Sequence, residues 1–253
     1  MAISSPNGDD PSLAQSATDR AYSLILRNIL TGKYRSGERL TESRLTAEFG
    51  LSRIPVREAL QRLARDGTID LHRHRGASLR VITRKDIADF FEVRSMLEGT
   101  SAAAAAGRIR ESSNDAERGR LVDQMARWHK WADAAAGYDK EEYAEHNQQF
   151  HEFIIHLSGN QFLVKFWEGF QLPLQRLRLI RHYRPGDLEA SIDEHLRIAG
   201  SILAGDGRAA ECYARNHTNR VAAGIYALSD HEFNLIFNPG ITSALADRYP
   251  DTT

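Results

Sequence analysis

The spacing of hydrophobic residues at the start of the chain predicts two short helices. Residues 18–31 place apolar side chains three and four apart, and Gly32 follows as a stop signal. Thr41 is a plausible N-cap for a second helix, which Gly50 ends. Two helices this short need further elements to cover their apolar sides.

A third helix is predicted directly after the second. Ser52 is its expected N-cap, and a proline in the first turn is tolerated because the N–H that it lacks has no partner there. Apolar residues at i, i+4 and i+7 form its inner stripe: Val56, Leu60 and Leu63. Arg53 and Arg57, four residues apart, project from another side.

The pattern then changes to the two-residue period of strands. Ile69 and Leu71 alternate with polar residues, residues 72–76 form a basic tip, and a second alternation begins at Leu79 and Val81. A two-stranded hairpin fits this spacing. Residues 18–83 are therefore predicted to form a winged helix-turn-helix domain, preceded by a flexible tail over residues 1–17.

The rest of the chain shows helical spacing in long blocks separated by Gly, Pro and Ser. Six helices are predicted, at roughly 84–107, 115–136, 139–158, 160–182, 187–204 and 207–228. Short connections between them favour an antiparallel all-helical bundle over residues 84–230. Residues 231–253 are predicted to be a C-terminal tail, with no structure assigned. The expected fold class is mostly α, a winged helix-turn-helix followed by a helical bundle.

Charge separates the two predicted domains. Residues 18–84 contain 14 Lys and Arg against 7 Asp and Glu, whereas residues 85–253 contain 19 against 25. Affinity for a polyanion is thus confined to the N-terminal third. The single cysteine, Cys212, cannot form an intrachain disulfide, and no apolar run has the length of a membrane helix. We expect a cytoplasmic protein without a membrane anchor.

Several side chains of the N-terminal domain are candidates for contacting double-stranded DNA. A guanidinium can engage two acceptors of guanine together, and a helix N-terminus favours phosphate. The candidates lie on the second helix, the third helix and the wing tip: Arg44, Ser52, Arg53, Arg57, Arg73, His74, Arg75 and Gly76. The alternative for each arginine is ordinary solvated surface charge. Their coincidence with a turn, a cap and a wing favours DNA contact for the group.

The run from Leu45 through Phe49-Gly50-Leu51-Ser52-Arg53 and Pro55-Val56-Arg57-Glu58-Ala59-Leu60 to Gly67 resembles the signature of the GntR family of bacterial transcription regulators. The resemblance covers residues 20–82 almost continuously. It implies that Arg44, Arg53 and Arg57 correspond to the family's DNA-contacting arginines, and Gly76 to the glycine of its wing tip.

Histidines form a second candidate site. Asn147 and His151 are four residues apart on one predicted helix, and His195 and His217 stand on later helices. Converging imidazoles from several helices are suited to a divalent metal. Spacing alone is weak support, because an isolated helical histidine is more often a surface or hydrogen-bonded residue than a ligand.

Residues 85–228 resemble the FadR-like subgroup of that family, which has the all-helical FCD effector domain. The similarity lies in Phe91-Glu92-x-Arg94 with Leu97-Glu98, in Phe150-His151 with Ser158-Gly159-Asn160, and in Glu194-His195 followed by His217. Many members hold zinc or nickel with one aspartate and three histidines. The resemblance implies His151, His195 and His217 as ligands, with Asn147 at the aspartate position. A neutral amide is a poorer ligand than a carboxylate, so an anionic effector would be attracted more strongly.

Arg94 is similarly implied to lie near an effector cavity, where it could clamp a carboxylate. The alternative is an i, i+4 salt bridge with Glu98. Together these features predict a regulator that binds a pseudo-palindromic operator as a homodimer and responds to a small organic acid, without enzymatic activity. A metal-dependent hydrolase fused to a DNA-binding module and a metal-sensing regulator are the alternatives.

Overall fold

The structure is a computed structural model that describes most of the 253 residues. The described residues are 16–72, 76–111, 115–132, 139–169, 180, 183 and 185–238. The chain divides into two compact units, residues 1–79 and 80–253.

Among its described residues, the first unit contains three helices and three short strands. They are α1 (Ala17–Leu30), β1 (Arg39–Leu40), α2 (Glu42–Phe49), α3 (Arg53–Arg65), β2 (Ile69–His72) and β3 (Gly76–Leu79). The predicted inner stripe of α3 is buried, since Val56, Leu60 and Leu63 are at most 2% exposed. Helix α1 packs against α3 and covers this stripe.

Local signals set the turn between α2 and α3. The Thr41 hydroxyl accepts a hydrogen bond from the Arg44 N–H at 3.3 Å, as an N-cap should. Gly50 ends α2 with φ of +64°, in the left-handed region that favours glycine. Ser52 occupies the N-cap position of α3, but its hydroxyl makes no capping hydrogen bond.

The sheet has one strand more than the sequence predicted. Its order is β1-β3-β2, with both pairs antiparallel, and β3 ends at Leu79, before Val81. The strand that was not predicted, β1, is only two residues long, which leaves no alternation to detect. Gly76 has φ of +83°, and a Cβ there would lie 2.9 Å from the Leu40 carbonyl oxygen. Close packing on β1 therefore requires a glycine at this position.

Helices joined by short loops make up the described part of the second unit. Its helices are α4 (Arg84–Glu111), α5 (Asp115–Ala132), α6 (Lys140–Leu157), α7 (Gln161–Gly169), α8 (Pro185–Leu203), α9 (Gly207–Tyr226) and α10 (Asp230–Phe237). Helix α4 runs along α9 and also packs against α6 and α8. The mostly α fold class with a winged helix-turn-helix is confirmed.

Some predicted helix ends were wrong. Helix α4 continues through Gly107 to Glu111, because a single helical glycine costs only about 1 kcal/mol and packing can offset it. Pro185 begins α8 instead of separating two helices, since proline fits the first helical position. Of the helix predicted at 160–182, the structure describes Gln161–Gly169 and Ile180 as helical, and residues 170–179, 181 and 182 lie outside the described residues, so the predicted end stays a prediction.

The first part of the predicted C-terminal tail, to which no structure was assigned, forms a helix. Helix α10 begins with a capping box, in which Ser229 and Glu232 satisfy each other's backbone N–H groups. Phe233, Ile236 and Phe237 pack into a cluster with residues of α4 and α9. The Asn238 side chain both accepts from the Ile82 N–H and donates to the Ile82 carbonyl, each at 2.8 Å.

Across the described part of the chain, every helix is too short or too polar to span a bilayer.

Candidate functional site

A concave surface of the first unit lies between α2, α3 and the β2–β3 hairpin. We call it the groove. Its lining includes Glu42, Ser43, Arg53, Arg57, Leu71 and Gly76. It therefore brings together three of the predicted DNA-contacting residues: Arg53, Arg57 and Gly76.

Arg57 is held in the groove by a carboxylate that was not predicted from the sequence. Its Nε and one terminal nitrogen donate to the two Glu42 oxygens at 2.8 and 2.9 Å, a bidentate pair. The hydrogen bond from Arg57 lowers the pKa of Glu42, although partial burial opposes this. The Arg57 side chain remains 58% exposed, so its guanidinium is oriented and still accessible.

The start of α3 presents further exposed groups next to Arg57. Ser52 and Arg53 are exposed, and Ile54 is 70% exposed despite being a large apolar residue. Ile54 falls outside the inner stripe of α3, and that position could have identified it from the sequence. An exposed aliphatic group at this end of the helix can contact the methyl group of thymine.

Arg44 is placed differently from Arg53 and Arg57. One of its terminal nitrogens lies 2.6 Å from a Glu38 oxygen, and its guanidinium stacks over the Tyr34 ring at 5.1 Å. Its neighbour Ser43 lines the groove instead. Arg44 thus lies beside the groove lining.

The wing supplies the remaining predicted contacts. Gly76 pairs with His72 across the hairpin and lines the groove. Arg73, His74 and Arg75 lie outside the described residues.

Three helices of the second unit bring three imidazoles together. His151 on α6, His195 on α8 and His217 on α9 each offer a ligand atom, and these atoms lie within 4.8 Å of one another. All three side chains are buried, being at most 4% exposed. We call this group the histidine centre. Asn147 is buried one turn before His151 on the same helix, as the spacing predicted.

Two carboxylates lie next to the Nδ1 atoms of two of these histidines. The Nδ1 of His151 lies 3.1 Å from Glu98 Oε2, and the Nδ1 of His217 lies 2.7 Å from Glu194 Oε2. The Nε2 of His151 is buried and makes no hydrogen bond to any described residue. A buried polar atom without a partner is unfavourable unless a water or ion satisfies it.

Each carboxylate is in turn held by an arginine. Arg94 Nε donates to Glu98 at 2.5 Å, which is the salt bridge weighed as the alternative role of Arg94. Arg220 donates to both oxygens of Glu194, at 2.5 and 2.8 Å. Two Arg–Glu–His chains therefore converge on the centre, Arg94–Glu98–His151 and Arg220–Glu194–His217.

The protonation states of His151 and Glu98 suit metal binding. Burial lowers the pKa of His151 to about 3, so its imidazole is neutral. Burial opposes ionisation of Glu98, but Arg94, His151 and His217 together outweigh it and keep the pKa of Glu98 well below its usual range. Neutral imidazoles with carboxylates at their outer nitrogens are a common surrounding of protein-bound metals. The histidine centre could therefore hold a divalent metal.

An aromatic wall packs against the third histidine. The His195 ring lies 4.5 Å from the Trp128 ring and 4.7 Å from the Phe150 ring, between centroids. Trp128 is fully buried. His195 itself is fully buried beside these rings.

Glu42, Trp128 and Arg220 were not predicted from the sequence. The partners Glu42 and Arg57 are 15 residues apart, and Glu194 and Arg220 are 26 apart, so no local spacing links them. Glu194 was visible only as the residue before His195.

Comparison with known proteins gives two family matches. Residues 17–79 match the family model described as "Bacterial regulatory proteins, gntR family". Residues 89–220 match the model of the FCD domain.

Individual relatives match most of the chain. A "Gluconate operon transcriptional repressor" of Bacillus subtilis is 32% identical over 182 residues, covering 69% of this chain and 70% of the relative. The "Nta operon transcriptional regulator" of Aminobacter aminovorans is 30% identical, covering 72% and 80%. The solved structure of "E. coli McbR/YncC" is 19% identical with a TM-score of 0.62, covering 84% and 98%, and supports the fold alone.

Proposed function

Because the chain belongs to the gntR family of bacterial regulatory proteins and carries an FCD domain, we propose that it is a ligand-responsive regulator that binds an operator as a homodimer. The groove is the observation that most directly supports DNA binding, because Arg53 and Arg57 are exposed there on α3, beside the β2–β3 strands. A helix of this size fits the major groove of DNA.

The matched families and relatives are transcription regulators and not enzymes, which confirms the prediction that the chain has no enzymatic role. The surroundings of the histidine centre agree with this. The nearby Glu98 and Glu194 are engaged by arginines and histidines. A hydrolase would need one such carboxylate to accept a proton from water.

We assign different roles to the residues of the DNA-binding unit. Arg53 and Arg57 contact base edges, with Ile54 against a thymine methyl group. Ser52 contacts a phosphate through its hydroxyl or the helix N-terminus. Arg44, beside the groove, contacts the phosphate backbone. Gly76 lets the wing lie close to the DNA, and the tip residues Arg73, His74 and Arg75 reach the adjacent backbone or minor groove.

A homodimer follows from the geometry of operator recognition. Each chain has one α3, whereas a pseudo-palindromic operator presents two half-sites about one DNA turn apart. Two chains are therefore needed to read it. Since the partner is chromosomal DNA, the bacterial cytoplasm is the expected site of action.

The histidine centre supports a metal-assisted effector site. His151, His195 and His217 would bind zinc or nickel, with the Asn147 amide oxygen as a weaker fourth ligand. The metal would supply positive charge that attracts an anionic ligand. A small organic acid is therefore the proposed effector, and gluconate, after whose operon one relative is named, is such an acid.

The effector can act only by binding more tightly to one arrangement of the dimer than to the other. A metal-sensing regulator is the second candidate, favoured by the same three histidines. In that case the metal alone, without an organic acid, would change operator affinity.

A thermal-shift screen of carboxylates and sugar acids, with and without Zn²⁺, tests the effector proposal. A ligand at 100 times its dissociation constant stabilises the native state by about 2.7 kcal/mol. Stabilisation by an acid only when Zn²⁺ is present supports the metal-assisted site. A response to Zn²⁺ alone that also changes operator affinity supports the metal sensor.

A further inference from the structure

The two Arg–Glu–His chains share one arrangement although they come from different helices. In each, an arginine donates to a glutamate, and that glutamate lies at the Nδ1 of a histidine of the centre. In the series Arg94–Glu98–His151, the arginine and the glutamate are four residues apart on α4. In the other, Arg220 on α9 reaches Glu194 on α8.

We propose that Glu98 and Glu194 are positioning residues of the metal site, which fix the tautomer and ring orientation of His151 and His217. This inference rests on the proposed metal site. An ionised carboxylate only accepts hydrogen bonds, so the imidazole proton must be on Nδ1. The lone pair on Nε2 is then left for the metal, and the carboxylate makes the ring a more basic ligand.

The hydrogen bonding of the two His151 ring nitrogens supports this assignment. Its Nδ1 is engaged by Glu98, whereas its Nε2 is buried without a hydrogen-bond partner among the described residues. A metal ligand would remove this deficit. The tautomer that Glu98 imposes is the one that makes Nε2 available.

The neutral Asn147 increases the importance of the outer carboxylates. None of the four proposed ligands carries a negative charge, so the donor strength of the imidazoles depends more on their surroundings. The same geometry gives Arg94 a different role from the effector clamp implied by the family resemblance. Its guanidinium stacks over Phe91 and Trp167 while it holds Glu98, so Arg94 orients that carboxylate.

The test is Zn²⁺ affinity of the full-length protein, measured by competition with a chromogenic chelator. Glu194→Gln keeps the size of the side chain and removes its charge. Loss of such an outer partner typically weakens metal binding roughly 10- to 100-fold. Asp193→Asn is the matched control, because Asp193 immediately precedes Glu194 on α8. Its carboxylate lies 2.9 Å from the Arg197 guanidinium, and both side chains are exposed to solvent. The control should bind Zn²⁺ like the wild type.

The outcomes separate this inference from the proposed metal site. If the wild type binds no Zn²⁺, the metal site fails. If the wild type binds Zn²⁺ and Glu194→Gln binds it equally tightly, only the positioning role is overturned. The absorption spectrum of bound Co²⁺ gives a further readout, because a positioning role predicts altered ligand-field bands in Glu194→Gln. A purely structural role lowers the melting temperature and leaves both the bands and the affinity unchanged.

Arg220→Gln decides the matter if Glu194→Gln does not fold. This variant removes both hydrogen bonds from Arg220 to Glu194 and leaves the carboxylate in place. A smaller loss of Zn²⁺ affinity than the range above supports the proposal. Affinity equal to that of the wild type overturns it.

Discussion

The groove and the histidine centre are both built on arginine–glutamate pairs, but they differ in burial. In the groove, the side chains of Arg57 and Glu42 are 58% and 32% exposed. At the centre, those of Arg94 and Glu98 are 13% and 5% exposed. An exposed pair contributes little and can exchange its partner for DNA, whereas a buried pair has no solvent to replace a lost partner. The same two residue types thus form an exposed pair in one region and a buried pair in the other.

The largest expected effect is on stability at the histidine centre. Arg94→Ala leaves the Glu98 carboxylate buried without its arginine, and breaking such a pair typically costs about 3–5 kcal/mol. Urea unfolding followed by tryptophan fluorescence measures this in the second unit, which contains all three tryptophans, Trp128, Trp131 and Trp167. Arg197→Ala, in an exposed pair, is the control. If Arg94→Ala lowers the free energy of unfolding no more than Arg197→Ala does, the proposed difference between the two regions is wrong.

The next effect concerns metal binding. His195→Ala removes one of three converging imidazoles, so Zn²⁺ affinity should fall by more than the roughly 10- to 100-fold typical of an outer-shell change. Metal content after dialysis measures it. His156→Ala, at an exposed position on α6, should retain the metal. Full occupancy in His195→Ala would remove this residue from the ligand set.

A smaller effect is expected at the groove. Arg57→Ala should weaken operator binding about ten- to hundred-fold, the range for one lost bidentate base contact. Fluorescence anisotropy at fixed salt measures this. Arg65→Ala, at the last position of α3 and outside the groove lining, is the matched control. Equal affinity of the Arg57 and Arg65 variants for the operator would contradict a base contact by Arg57.

The smallest expected effect is on the stability of the exposed pair in the groove, Arg57 and Glu42. Glu42→Gln breaks an exposed ion pair, so the free energy of unfolding should change by less than about 1 kcal/mol. Urea unfolding followed by circular dichroism at low and high salt measures this change. The small difference should shrink as salt rises. A loss as large as that of Arg94→Ala would show that exposure does not distinguish the two pairs.

Local chemistry made the first unit predictable from sequence. Thr41 and Gly50 lie at the two ends of α2 and interact with residues within one turn, so their capping roles can be recognised in a single sequence. The capping box of Ser229 and Glu232 was equally recognisable, and it could have identified α10. The strand β1 could not be found in this way, because two residues form a strand only through pairing with β3.

The candidate sites were predictable only in part. The spacing of Asn147 and His151 placed both on one face of α6, but convergence with His195 and His217 depends on how three helices pack. The partners of the arginines were harder still. Of the three arginine–glutamate pairs at the groove and the histidine centre, Arg94 and Glu98 share one helix, and this was the pair that the sequence suggested.

The ratio of affinities for operator and scrambled duplex most directly tests the central claim that the groove reads DNA sequence. The operator would first be selected from genomic fragments by the purified full-length protein. At physiological salt we expect it to bind about 10³-fold or more tightly than the scrambled duplex, and Arg57→Ala to reduce this ratio. A ratio near one, with and without Zn²⁺ and across the tested organic acids, would contradict the account.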